Sequence, residues 1–166
     1  MTHRTDPNSV DLDPIAWKIL EALQENARLS FAELGRKVGL STPAAAERVR
    51  RLEEAGIIAG YHAQVNVAKL GLPIHVIVHL TIHGGDVQVS RTVAAVKEMA
   101  ELSRCHRITG AESFVIEADL VSIRHLEAFI DRLSVFGATA TSTILSTPVK
   151  RRTYHAAEID EFKSLD

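Results

Sequence analysis

The pattern of apolar and polar residues in the first third of the chain predicts short amphipathic helices. The first helix is predicted to begin at Asp13-Pro14, because Asp suits the N-cap and Pro suits the first helical position. A second helix is predicted after Ser30, since Glu33 stands three positions later and completes a capping-box pattern, and Gly39 ends it. The apolar positions of these two helices are Ile15, Ile19, Leu20, Leu23, Phe31, Leu34 and Val38.

A third helix is predicted over residues 42–55, between a Ser41 N-cap and Gly56. A turn of about three residues that contains Gly39 separates it from the second helix, as in a helix-turn-helix. At 100° per residue, the inner face of the third helix holds Ala45, Val49 and Leu52. Ser41, Thr42 and Ala44 lie at its N-terminal end, which is the end that enters the major groove of DNA in this motif.

The period changes to two in the second half of the chain. Apolar residues occupy every second position from Ile74 to Ile82, and the positions between them are polar apart from Ile77, which predicts a strand. Further strands are predicted over 102–109, 114–120 and 138–146, with helices over 89–100 and 122–136. This order is β-α-β-β-α-β, the ferredoxin-like arrangement. The predicted fold class is α+β, with both helices on one face of an antiparallel sheet and the other face in need of cover.

These elements predict five segments. We expect a flexible arm over 1–12, a helix-turn-helix domain over 13–60, a strand or linker over 61–73, a ferredoxin-like domain over 74–148, and a tail with a short helix over 149–166.

The composition narrows the class of protein. The chain has 166 residues, of which 46% are hydrophobic and 24% charged, and this balance is that of a globular protein. A single cysteine fits a reducing compartment, and no apolar stretch has the length of a signal segment or a membrane span. We therefore expect a cytoplasmic protein without a membrane partner.

No cofactor or metal is expected. His75, His79 and His83 stand four positions apart, a spacing that makes a metal site on a helix. On a strand, however, residues four apart are separated by about 13 Å, which is too far for one zinc ion.

Charge is distributed unevenly along the chain. The net charge is −2, but residues 28–52 contain six basic and two acidic residues, a net of +4. We expect Arg48, Arg50 and Arg51 to contact phosphates, and Glu47 to accept a hydrogen bond from a cytosine amine. The alternative is a solvated charged face. The candidate DNA-binding residues are Ser41, Thr42, Pro43, Ala44, Glu47, Arg48, Arg50 and Arg51.

Several motifs resemble one family over about residues 11–150. They are Ile19-Leu20, FAELGRKVGLS from Phe31, STPAAAERVRRLEEAGIIAGY from Ser41, ITGAESFVI from Ile108, and Thr141-Ser142-Thr143. With these motifs the chain resembles the Lrp/AsnC, or feast/famine, transcription regulators. The resemblance implies a winged helix-turn-helix, a second domain called RAM, and homodimers that assemble further into tetramers or octamers. It also implies that double-stranded DNA and a small-molecule effector, an amino acid, are the partners.

The resemblance also implies an effector cleft between RAM domains, next to a turn that usually reads Gly-x-x-Asp. Gly110 matches that turn, but Ser113 occupies the Asp position, so an ammonium group loses its charged partner. Glu112 could replace it, or could simply face water. The candidate effector-binding residues are Gly110, Ala111, Glu112, Ser113, Thr141 and Thr143. The alternative for the two threonines is the β-propensity of Thr.

Two other functions remain open. Some proteins that resemble this family are tetrapyrrole decarboxylases of the sirohaem type, and His75, His79, His106 and Arg107 could serve such a cleft. Against this, the third helix keeps its basic residues, so we expect no enzyme. A ligand-independent architectural DNA-binding protein is the other alternative.

Overall fold

A computed structural model describes residues 12–165, which form two compact units. Residues up to Ala63 and from Val149 onward belong to the N-terminal unit, and residues 64–148 form the second unit. The flexible arm predicted over 1–12 lies outside the described residues except for Leu12.

The three predicted helices of the N-terminal unit are present. They are α1 (Pro14–Glu25), α2 (Phe31–Val38) and α3 (Thr42–Glu54). The Asp13 carboxylate caps α1 by accepting a 2.7 Å hydrogen bond from the Ala16 amide. The helices pack around a core that contains the predicted apolar positions. Its buried residues are Ala16, Ile19, Leu20, Ala22, Leu23, Leu34, Val38, Val49 and Leu52.

The segment after α3 corrects one expectation. Residues 60–66 have no regular secondary structure and pair with no strand among the described residues, and Val67–Leu70 is a short 3-10 helix capped by Asn66. Of the two predictions for residues 61–73, a strand or a linker, the strand is therefore wrong for a single chain, because a strand needs a neighbouring strand to share its ladder hydrogen bonds.

The second unit has the predicted β-α-β-β-α-β order. Its elements are β1 (Ile74–Thr81), α4 (Asp86–Lys97), β2 (Leu102–Arg107), β3 (Phe114–Leu120), α5 (Ile123–Ser134) and β4 (Ala138–Thr143). All pairings are antiparallel, and the strand order is β2-β3-β1-β4. The prediction of a ferredoxin-like α+β fold is thus confirmed.

Strands β2 and β4 end earlier than predicted because their partners end. Arg107 pairs with Phe114, the first residue of β3, and beyond it only the Ile108 amide reaches across, to the Ser113 carbonyl of the turn. Thr143 pairs with Val76, and β1 begins only two residues before that point.

The two faces of this sheet differ. Val76, Val78 and Leu80 of β1 are buried with Phe129 and Leu133 of α5 in the core of the second unit. The opposite face carries Asp119, which is buried beside His75, and otherwise side chains that are only partly buried or exposed. Those on β1 and β3 are His75, Ile77, His79, Thr81, Val115 and Glu117.

The C-terminal tail belongs to the N-terminal unit. Its predicted short helix is α6 (Ala156–Lys163). The Gln24 side-chain amide on α1 donates to the Tyr154 carbonyl at 3.1 Å and accepts from the Tyr154 amide at 3.0 Å.

None of the helices within residues 12–165 is both long and apolar enough to cross a bilayer. Over the same residues, no group of three His, Cys, Asp or Glu side chains is arranged to hold a metal ion. His75 instead lies 2.7 Å from the Asp119 carboxylate on the neighbouring strand.

Candidate DNA-binding surface and ligand site

The turn between α2 and α3 is held by a close backbone approach at Gly35. Its carbonyl accepts a 2.8 Å hydrogen bond from the Leu40 amide, and a Cβ at this position would lie 2.6 Å from the Leu40 oxygen. Gly39 then reverses the chain with φ +77°, a left-handed conformation that glycine adopts without cost. These two glycines set the angle at which α3 leaves α2.

The N-terminal end of α3 is exposed. Thr42 and Pro43 face solvent and Ala44 is half-buried, while the Ser41 hydroxyl caps the helix by accepting from the Ala44 amide at 3.4 Å. Ser41 therefore has a capping role that is independent of DNA. This end of the helix also presents its positive dipole, which attracts phosphate.

Glu47 lies at the centre of an ion-pair network on the outer face of α3. Its carboxylate accepts hydrogen bonds from Arg50 at 2.8 and 3.0 Å and from Arg51 at 2.9 Å. These bonds, first from Arg50 and then from Arg51, lower the pKa of Glu47 to about 2. Arg50 also pairs with Glu54. The two arginines are thus held side by side on the exposed surface.

Arg48 points elsewhere. It forms an ion pair with Asp13, the N-cap of α1, 35 positions earlier in the chain. The hydrogen bond from the Ala16 amide and the contact with Arg48 together lower the pKa of Asp13. Arg48 therefore ties α3 to the start of α1, a role that the spacing of the basic residues does not reveal.

The predicted effector turn is fastened to the end of β1. The Ser113 amide donates to the Leu80 carbonyl at 2.9 Å, and the Ser113 hydroxyl accepts from the Ile82 amide at 3.1 Å. The turn also closes on itself, through a 3.0 Å bond from the Ile108 amide to the Ser113 carbonyl. Gly110 and Ala111 at its tip are exposed, and Gly110 has φ +126°.

The structure separates this turn from the predicted threonines. Thr141 and Thr143 lie opposite Val78 and Val76, two and four residues along β1 from Leu80. At about 3.3 Å per residue, Thr143 is therefore roughly 13 Å along the sheet from the turn. Both threonines are exposed on the edge strand, so one chain does not bring all six candidate residues into one small site.

The residues considered for a decarboxylase do not converge either. Cross-strand pairing places His106 opposite Val115, on the face that carries His75 and His79, whereas Arg107 lies opposite Phe114 and faces the helices. His79 has a buried Nδ1 without a hydrogen-bond partner among the described residues.

Three features of the N-terminal unit escaped the sequence reasoning. Asp13 was predicted only as a cap, and nothing in a helical pattern links it to Arg48. The close approach at Gly35 is a tertiary contact. The run Lys150-Arg151-Arg152 was visible as a basic cluster, but only the folded tail shows that it belongs to the DNA-binding unit.

Comparisons with known proteins agree with this architecture. Residues 12–59 match the family model described as winged helix-turn-helix DNA-binding, and residues 75–154 match the model described as Lrp/AsnC ligand binding domain. The HTH-type transcriptional regulator LrpC of Bacillus subtilis is 38% identical over 135 residues, which cover 81% of this chain and 92% of LrpC. Its solved structure has a TM-score of 0.80 at 37% identity, over 86% of this chain and all of that one.

Two further proteins are similar over most of the chain. The leucine-responsive regulatory protein of Haemophilus influenzae is 39% identical over 119 residues, which cover 69% of this chain and 72% of the relative. A transcriptional regulator of Neisseria meningitidis, solved in complex with L-Met, has a TM-score of 0.82 at 25% identity, over 90% of this chain and 99% of that one.

Proposed function

The chain belongs to the Lrp/AsnC family of DNA-binding transcriptional regulators, and we propose that it binds its operator through the outer face of α3. The exposed N-terminal end of α3 enters the major groove, and Arg50 and Arg51, further along the same helix, contact phosphates. The observation that carries this proposal is the exposed network in which Glu47 holds both arginines at 2.8–3.0 Å. Phosphate oxygens can replace the Glu47 carboxylate as acceptors, because each guanidinium remains charged and accessible. Glu47 is then released toward a base edge.

Salt dependence of DNA binding tests the phosphate contacts. The logarithm of the DNA-binding constant falls linearly with the logarithm of the salt concentration, and each phosphate contact that is lost should make this slope less steep by about 0.9. We expect that reduction for Arg51→Ala. Arg91→Ala is the matched control, because it removes the same charge from the exposed surface of α4 in the second unit. If both variants keep the wild-type slope, Arg51 does not contact phosphate.

The base-reading role of Glu47 needs a separate measurement. Glu47→Ala should relax the preference at one base pair by roughly 1–3 kcal/mol in a randomised-site selection. It also frees both arginines, so overall affinity for DNA should not fall in the same proportion. An unaltered binding-site profile would show that Glu47 only orients the arginines.

We further propose that the DNA-binding species is a homodimer, which assembles to a tetramer or octamer. The support is the sheet face opposite the helices, where the apolar side chains of Ile77 and Val115 lie among polar ones, partly exposed and outside the buried core of residues 64–148. A dimer presents two α3 helices to major grooves about 34–36 Å apart. Sedimentation velocity at several concentrations measures the state, and a monomer at micromolar concentration would contradict the proposal.

The effector is proposed to be an amino acid that contacts Gly110, Ala111, Glu112 and Ser113 of one chain. Since Thr141 and Thr143 lie too far along the same sheet, we assign them to the site of a neighbouring copy. The support for the ligand class is the L-Met bound to the Neisseria meningitidis regulator, so L-methionine is the first probe.

Thermal stability tests the effector site. A ligand at 100 times its Kd should add about 2.7 kcal/mol to the unfolding free energy of the wild type. Gly110→Asp should abolish this gain and keep DNA binding, because it adds bulk and charge at the turn. Gly110→Ala is the matched control, since it introduces the same strain at φ +126° without the charge. An equal ligand response in Gly110→Asp and the wild type would refute the assignment.

A further inference from the structure

The N-terminal unit contains a cavity of about 560 Å³ that belongs neither to the α3 surface nor to the effector turn. Three segments line it: α1 with the residues that flank it, residues 57–62 after α3, and the C-terminal tail. This volume lies within the roughly 300–1,000 Å³ of small-molecule sites. The apolar and aromatic lining residues are Leu12, Trp17, Leu20, Leu23, Ile57, Ile58, Tyr61, Tyr154 and Ile159.

Aromatic side chains are concentrated in this cavity. The chain has one Trp and two Tyr, and Trp17, Tyr61 and Tyr154 all line it. Tyr61 and Tyr154 remain 44% and 56% exposed, so they are not used to fill a closed core. Aromatic walls of this kind accept a planar ring by stacking or by edge contacts.

The walls are held by specific polar contacts. The paired hydrogen bonds between Gln24 and the Tyr154 backbone fix the tail against α1, and His155 lies 3.2 Å from the Glu21 carboxylate. On the other side, the Tyr61 hydroxyl donates to Glu53 of α3 at 2.9 Å. Burial, together with this carboxylate, raises the pKa of Tyr61 to about 12, so the phenol stays neutral.

The charge at the cavity is positive. Arg151 and Lys163 line it, and neither takes part in an ion pair within residues 12–165. Over the same residues, no Asp or Glu lines the cavity. An apolar, aromatic cavity with two available cations complements a ligand with an aromatic body and an anionic head.

We propose that this cavity is a second ligand site, which takes an aromatic carboxylate with its ring among Trp17 and the two tyrosines and its carboxylate at Arg151 and Lys163. The site is separate from the effector turn of the second unit. A ligand here contacts Tyr61, whose hydroxyl donates a hydrogen bond to Glu53 of α3. The bound ligand is thus one side chain away from the DNA-binding helix.

The single Trp makes a direct assay. In ¹⁵N-labelled full-length protein, Trp17 gives the only indole N–H resonance, and we expect it to shift on titration with 2-naphthoate. The uncharged 2-naphthamide, which has nearly the same shape, should bind about tenfold more weakly, because it lacks the charge-assisted contact with the cations.

Matched variants locate the ligand. Arg151→Ala should weaken naphthoate binding by about tenfold, whereas Arg152→Ala removes the same charge from a residue outside the lining and should leave binding unchanged. Ala27→Phe should block the shift, because Ala27 lines the cavity and the larger ring would take up ligand space. Gly110→Asp should bind naphthoate as the wild type does, which keeps this result independent of the effector turn.

Three outcomes would overturn the proposal. They are an indole resonance that does not move at millimolar naphthoate, equal effects of Arg151→Ala and Arg152→Ala, and naphthamide binding as tight as that of naphthoate. An unchanged Trp17 indole resonance without ligand, together with a wild-type circular dichroism spectrum, verifies that each variant is folded.

Discussion

Replacing Gly35 by alanine should test whether the close approach in the helix-turn-helix sets the position of α3. The added Cβ would lie 2.6 Å from the Leu40 oxygen, and ordinary contact begins at 3.4 Å, so backbone must move by about 0.8 Å. Crowding of this kind costs roughly 2–3 kcal/mol. The higher helix propensity of alanine offsets about 1 kcal/mol of this loss in unfolding free energy. The expected net loss in unfolding free energy is therefore about 1–2 kcal/mol.

Urea unfolding followed by Trp17 fluorescence measures this loss, because the only Trp of the chain lies in the N-terminal unit. With a slope near 2 kcal/mol/M, the midpoint should fall by roughly 0.5–1 M. Affinity for operator DNA should fall too, since the displaced backbone leads directly into α3.

The control for this experiment is Gly39→Asn. Gly39 has φ +77° and nothing within 4 Å of a Cβ, and Asn tolerates the left-handed region, so only a small loss is expected. If Gly35→Ala instead raises stability by about 1 kcal/mol, as in an uncrowded helix, the steric reasoning is refuted.

Three more outcomes are expected. Gly137→Ala should destabilise the second unit by about 3 kcal/mol in urea unfolding followed by circular dichroism, because the added Cβ would lie 2.1 Å from the Thr81 oxygen. The control Gly85→Ala should be neutral, since nothing lies within 4 Å of a Cβ at that position. Thr92→Val should cost about 1 kcal/mol in the same assay, since the buried hydroxyl donates to the Gln88 carbonyl at 2.9 Å; a neutral result would show that this bond contributes nothing. Hydrogen bonds from the Ser30 hydroxyl and amide lower the pKa of Glu33, and the Ala16 amide and Arg48 lower that of Asp13. Both carboxylates therefore stabilise the N-terminal unit at pH values above their ordinary pKa values of 4.5 and 3.8. This stabilisation is lost as the pH falls through the lowered pKa values. Between pH 5 and pH 3, Trp17-monitored stability should therefore fall more in the wild type than in the double variant Asp13→Asn, Glu33→Gln, and equal losses would contradict the assignment.

The local signals in the sequence were reliable because each acts over a few residues. Asp13, Ser30 and Ser41 cap the three predicted helices, and the capping box of Ser30 with Glu33 is formed in full. The change from helical spacing to alternation at Ile74 likewise predicted β1. Caps and periodicity depend on short-range hydrogen bonds and on one buried face, so they can be read without a fold.

The candidate DNA-binding surface could be predicted only in part. The exposed N-terminal end of α3 follows from its helical period, and Glu47 lies three and four positions from Arg50 and Arg51, within the reach of helical ion pairs. The partner of Arg48 could not be predicted in this way, because Asp13 lies 35 positions away and meets it only when α1 packs beside α3.

What the sequence by itself determined is the order and type of the elements, since these depend on neighbouring residues. Tertiary structure alone decided where β2 and β4 end, which glycines are crowded, and that Thr143 lies far from the Gly110 turn. It also decided that the tail closes a cavity against α1. Each of these depends on the meeting of distant segments, and no local pattern encodes the distance between two segments that only packing brings together.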